Sequence, residues 1–93
     1  MYELKIGDKK YLSISIPTEK TNILIIQGSK GFLSCGYLSI DAANKWNESI
    51  AIVTGVKNFD EMLNAKIVKV SSKAIELGIK IGDFGKAALL KLH

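Results

Sequence analysis

Few residues in this chain can start chemistry. There is one cysteine, Cys35, and one histidine, His93, at the last position of the sequence. A single cysteine permits no internal disulfide and no Cys-based zinc or iron–sulfur cage within one subunit. A histidine in the final position permits no His-rich metal site, no Ser-His-Asp triad and no anchored Cys-His pair. No two of the nine acidic residues stand at helical i, i+3 or i+4 spacing, and the adjacent Asp60 and Glu61 diverge on a helix. No metal site is expected, and nothing identifies a cofactor. What remains for chemistry is Cys35, the lysines, the Ser and Thr hydroxyls, Tyr2, Tyr11, Tyr37 and backbone amides.

Two glycine clusters could bring those groups to a ligand. The first runs Gly28-Ser29-Lys30-Gly31-Phe32-Leu33-Ser34-Cys35-Gly36-Tyr37-Leu38. Gly31 and Gly36 have the spacing of a phosphate-binding loop. That mechanism then needs a Lys and a Ser or Thr, and the chain supplies Tyr37 and Leu38. No G-x-G-x-x-G occurs, so a dinucleotide site has no support. One reading makes the cluster a hairpin turn and chain reversal, with Cys35 a small buried residue. The other lets a ligand reach the backbone amides, with Lys30 supplying charge. Cys35 lies four residues before an expected helix start at Ser39, and a thiol near a helix's positive end is an activated nucleophile.

The second cluster, Thr54-Gly55-Val56-Lys57, follows the apolar Ile50-Ala51-Ile52-Val53. It reads either as an ordinary strand-to-helix turn or as ligand-binding loop, because ligands in open α/β sheets bind beyond the carboxyl ends of strands. If the strands at 22–27 and 50–54 are parallel neighbours, both clusters share one edge. Lys30, Gly31, Cys35, Gly36 and Tyr37 would then line one cleft with Thr54 and Gly55, and Lys57 would add charge. Two function classes follow: a small-molecule or anion-binding module, or an enzyme with Cys35 as thiolate nucleophile. A structural subunit of a larger assembly is the third possibility.

The elements that must position these residues form an α+β pattern. Tyr2, Leu4 and Ile6 alternate with polar residues, as do Leu12, Ile14 and Ile16. With Gly7-Asp8-Lys9-Lys10 between them, residues 1–17 read as an antiparallel hairpin with one apolar face, ended by Pro17. Residues 22–93 read as an α/β core. Asn22–Gln27 is apolar on both faces and should be central and doubly covered. Phe32–Cys35 returns as a short antiparallel strand, and Ser49–Thr54 and Lys66–Val70 are further strands. Ser39, Asn58, Ser71 and Asp83 are the expected helix caps, and Gly78 a helix stop. Trp46, Phe59 and Phe84 are expected in the core. The whole is one domain with a mixed sheet and three or four helices.

The 93 residues carry 13 basic and 9 acidic side chains, and every basic one is Lys. Without Arg there is no bidentate fork for guanine edges or phosphates, and the lysines are scattered, so no nucleic-acid partner is expected. No apolar run approaches a membrane span. The start, Met1 to Lys5, lacks a signal-peptide core, so a cytoplasmic location is expected. A small chain with an amphipathic hairpin is expected to self-associate as a homo-oligomer.

Three stretches carry a family resemblance: residues 28–38, Ala51 to Phe59, and Met62-Leu63-Asn64-Ala65-Lys66. They resemble the YunC-like family, a small prokaryotic family described as a domain of unknown function. The Lys-Gly-x-x-x-Cys-Gly-Tyr core at 30–37 is its most specific part. The resemblance implies an α/β domain whose N-terminal β region is associated with tetramerisation. It implies no activity, substrate or cofactor, so no catalytic residue is carried over.

Overall fold

The first reversal of the chain fixes which side of the sheet each later residue occupies. Gly7 has a φ of +63°, which an L side chain rarely adopts. Only Gly7 and Asp8 separate β1 (Tyr2–Ile6) from β2 (Lys9–Pro17), so Ile6 lies opposite Lys9 and Leu4 opposite Tyr11. Even-numbered residues of β1 therefore share a face with odd-numbered residues of β2. Leu4 and Ile6 point with Tyr11 and Ser13, whereas Leu12, Ile14 and Ile16 point the other way. The hairpin does not have the single apolar face its alternation suggested. Tyr11 and Ser13 are buried, and Leu12 and Ile16 are exposed.

The computed structural model describes residues 2–93. After β2 come β3 (Asn22–Gln27), β4 (Phe32–Ser34), α1 (Ile40–Lys45), β5 (Ile50–Ile52), α2 (Phe59–Asn64), β6 (Lys69–Val70), α3 (Ser72–Glu76) and α4 (Gly85–Lys91). The six strands lie side by side in chain order. β4 and β5 are parallel and every other neighbouring pair is antiparallel. The expected α+β fold with a mixed sheet and an N-terminal antiparallel hairpin is thus borne out, with four helices.

The main core covers one face, where Ile26, Leu33, Met62, Ile67, Leu89 and Leu92 are fully buried. On the other face Ala43 of α1 packs on Ile50 and Ile52, beside Phe32 and Ile40. α1 does not reach β2 and β3. Ile23 and Ile25 consequently remain half-buried, and β3 is not covered on both sides as its sequence suggested.

Side-chain caps end the elements where the sequence placed them. Ser39 Oγ accepts from the Ala42 N–H, Asn58 Oδ1 accepts from the Glu61 N–H, and Glu61 Oε1 reaches back to the Lys57 N–H. Asp83 is the exception. Its carboxylate accepts from the Lys80 N–H and closes a turn, so Phe84 takes the N-cap position of α4 without a side-chain bond. Phe84 is exposed there, with the Lys66 ammonium 6.0 Å from its ring centre. Trp46 caps the C-terminus of α1, 71% exposed, with Lys45 over its ring. Neither aromatic enters the core, whereas Phe59 packs against it. Gly85 explains part of this: a Cβ there would collide with the Met62 carbonyl, so α4 and α2 meet too closely for a large residue.

Ser71 is the most connected polar side chain. Fully buried, its hydroxyl accepts from the Ile50 N–H (2.9 Å) and the Ala74 N–H (3.3 Å) and donates to the Glu48 carbonyl (2.7 Å). One oxygen joins the start of β5 to the start of α3. Ser71→Ala leaves two of these buried backbone groups unpaired, and urea denaturation is expected to show a loss of about 2 kcal/mol.

Tyr11 also spans the fold, donating to the Leu89 carbonyl of α4 at 2.7 Å. Burial holds its phenol above the usual value of 10.0, because the anion is poorly solvated there. As pH rises past that value the unfolded phenol ionises first, so stability present below it is lost above it. Urea titrations between about pH 9 and about pH 11 are expected to show a steeper fall for the native protein than for Tyr11→Phe.

Candidate functional site

The direction of β4 decides which loops meet. β4 runs against β3 and with β5, so β4 and β5 end at the edge where β3 begins. There the loops after β4 and β5 meet the turn before β3 around a cleft of about 340 Å³. Cys35, Gly36 and Tyr37 form one wall, Thr54, Gly55 and Val56 another, and Thr21 and Asn22 the third.

Local geometry explains the residue types. At Gly36 a Cβ would lie 3.3 Å from the Thr54 methyl, so a side chain there would crowd the two loops. Gly55 has a φ of +71°, a conformation that favours glycine. Tyr37 and Thr54 are exposed at the rim. Among the described residues, the backbone N–H groups of Gly36, Tyr37, Thr54, Gly55 and Val56 make no hydrogen bond within the chain. All five belong to residues that line the cleft.

Cys35 lies at the base and is only 6% exposed. It continues the β3–β4 ladder: its N–H donates to the Leu24 carbonyl at 3.0 Å, and its Sγ accepts from the Leu24 N–H at 3.4 Å. The side chain also packs in the main core. The sulfur is thus tied to β3, and the polar neighbour it uses is a strand amide rather than the start of α1.

The structure brings together Cys35, Gly36, Tyr37, Thr54 and Gly55, but not the remaining three candidates. β4 separates β3 from β5, and those two strands run in opposite directions, so the turn after β3 lies at the far edge. Lys30 and Gly31 are there. Gly31 is required by packing, since a Cβ would strike the Ser49 carbonyl. Lys30 lines a separate cleft with Ser49 and Lys73. Lys57 follows Val56 but does not line the cleft; its N–H is held by Glu61. Thr21 and Asn22 were missed because they belong to no glycine cluster, and Val56, inside the second cluster, was passed over as an apolar residue without chemistry of its own. The signal for Thr21 and Asn22 was the antiparallel β3–β4 pairing, which puts the start of one strand beside the end of the next.

Among the described residues no group of three or more His, Cys, Asp or Glu is placed to hold a metal ion, and no helix is long and apolar enough to cross a membrane. The profile of the family described as "Domain of unknown function (DUF1805)" matches residues 34–92. The chain belongs to this family. The DUF1805 match begins inside β4 and takes in both cleft walls built by residues 35–37 and 54–56. The chain is also 30% identical to the uncharacterized protein YunC of Bacillus subtilis (strain 168), over 96% of this chain and 92% of that protein. It is similar to the crystal structure of TA1206, a protein of unknown function from Thermoplasma acidophilum. That TM-score is 0.94 at 37% identity, over 99% of this chain and 90% of the other. The hairpin lies outside the DUF1805 match but within both of these whole-chain similarities.

Proposed function

We propose that this DUF1805 protein is a cytoplasmic, homo-oligomeric binding module that takes a small molecule in the Cys35–Thr54 cleft. One observation carries the reading: five residues whose backbone N–H groups have no partner in the chain line a cleft of ligand size, with the buried Cys35 at its base. The lining suits a compact ligand with an apolar body and one hydrogen-bond-accepting head. It has no lysine, so the cleft does not select for charge. It also has no carboxylate or histidine to take a proton from Cys35, and the thiol is buried. Binding is therefore favoured over turnover on Cys35. Nucleic acid is not part of this reading, because the chain lacks arginine.

Self-association rests on the uncovered sheet face. Leu12, Ile14 and Ile16 of β2 share that face with Ile23 and Ile25 of β3, where no helix covers them. A row of aliphatic residues on a strand pair can meet the same row of a second copy, as a two-fold interface requires. The tetramer implied by the family resemblance uses the same N-terminal β region.

Two experiments test this. A thermal-shift screen of small uncharged metabolites is expected to return a ligand that stabilises the native protein but not Thr54→Trp, in which an exposed residue is enlarged to fill the cleft. Equal stabilisation of both proteins would refute the cleft assignment. Light scattering is expected to give a tetramer for the native chain and a species near 10.2 kDa for Ile16→Lys. A native monomer at micromolar concentration would end the oligomer reading.

A further inference from the structure

We propose that the opposite edge of the sheet holds a second ligand site, for a small organic phosphate, built on Ser49, Lys30 and Lys73. At this edge β3 ends and β4 and β5 begin, and a cleft of about 360 Å³ opens between the 28–31 turn, the approach to β5 and α3. Lys30, Asn47, Ser49, Lys73, Glu76 and Leu77 line it.

The observation that points to a ligand is the hydroxyl of Ser49. Four serines of the described residues are buried: Ser13, Ser34, Ser49 and Ser71. Three donate to backbone carbonyls, Ser13 to Tyr2, Ser34 to Cys35 and Ser71 to Glu48. Ser49, 7% exposed, has no side-chain hydrogen bond among the described residues. Yet no fully sealed side-chain oxygen or nitrogen lacks a partner among the described residues. The Ser49 oxygen therefore keeps some access to solvent, and Ser49 is among the residues that line this cleft. A hydroxyl without a partner in the chain, on a residue that lines a cleft, can bond to an external acceptor.

The surroundings hold that hydroxyl still. The Ser49 carbonyl accepts from the Phe32 N–H at 3.0 Å, and the next N–H, that of Ile50, is bound by Ser71. Charge completes the site. Lys30 and Lys73 line the cleft, and the ion pairs of the described residues lie elsewhere, at Lys10–Glu3 and Lys91–Asp83. Two lysines, a serine and an asparagine line the cleft, and together they can supply the donors that a tetrahedral oxyanion accepts. Glu76 opposes a polyanion and accepts from an amine or hydroxyl on the organic part. The cleft has room for that part beyond the phosphate.

Phosphoethanolamine is the probe, with inorganic phosphate, ethanolamine and glutamate as comparisons, followed by amide NMR shifts on the full chain. Phosphoethanolamine is expected to bind tighter than all three and to shift the amides of Lys30, Ser49 and Lys73. Ser49→Ala is expected to weaken it about tenfold. The exposed pair Lys30→Gln and Lys73→Gln is expected to abolish binding without unfolding the protein, and Thr54→Trp to leave it unchanged. The proposal is overturned if phosphoethanolamine does not bind, if the lysine pair binds it as well as the native protein, or if shifts spread over distant lysines such as Lys5 and Lys20. Tighter binding of glutamate would overturn the phosphate assignment.

Discussion

The orientation of β4 is the constraint on which both edges of the sheet depend. This strand has three residues, yet it pairs antiparallel with β3 and parallel with β5. The parallel partner cannot be reached by a tight turn, because the chain must first cross back to the starting edge. α1 makes that crossing on the face away from the other helices and buries Ala43 against Ile50 and Ile52. A two-layer protein thereby gains a third, partial layer under β4 and β5, while β2 and β3 keep an open aliphatic face. The Val53 N–H to the Ser34 carbonyl (2.9 Å) and the Phe32 N–H to the Ser49 carbonyl (3.0 Å) hold the parallel pair at its two ends. Each of these ends borders one of the two clefts.

Small residues do much of the joining. Gly28, Gly31 and Gly85 sit where a Cβ would strike the carbonyls of Leu92, Ser49 and Met62 respectively. In a chain this short, backbone lying directly on backbone replaces the side-chain layers a larger domain would use. Ser71 does the same by hydrogen bonding. Its hydroxyl satisfies groups from a strand start and a helix start at once, so neither end is left as a buried unpaired group.

What could be read from the sequence was the local part of the fold. The caps at Ser39, Asn58 and Ser71 and the strand at 22–27 are fixed by neighbouring residues, and the alternation and cap chemistry were sufficient. Register was not local. Whether Leu12 or Tyr11 faces the core depends on the two-residue loop at Gly7-Asp8, and the hydrophobic pattern alone favoured Leu12. Strand direction was not local either. Treating 22–27 and 50–54 as parallel neighbours joined Lys30 to Thr54, and the intervening β4 moved them to opposite edges. Of the first cluster's candidates, Cys35, Gly36 and Tyr37 therefore lie beside Thr54 and Gly55, and Lys30 and Gly31 do not. Asp83 and Phe84 illustrate a third limit. A good cap residue was diverted to closing the 80–83 turn, and an aromatic was displaced because α2 and α4 approach at Gly85.

The chain-order sheet has a kinetic meaning. Each strand pairs with the one next to it in sequence, so the sheet can assemble by closing short loops in succession, at little entropic cost per step. α4 is different. Its contacts to the hairpin, such as Tyr11 to the Leu89 carbonyl, join residues 78 positions apart. The core side chains Leu89 and Leu92 find their places only when that large loop closes. A sheet zipped up to β6 without α4 would still show Ile26 and Leu33 to water. Docking α4 on the hairpin thus carries a larger loop-closure cost than pairing any one strand with the next.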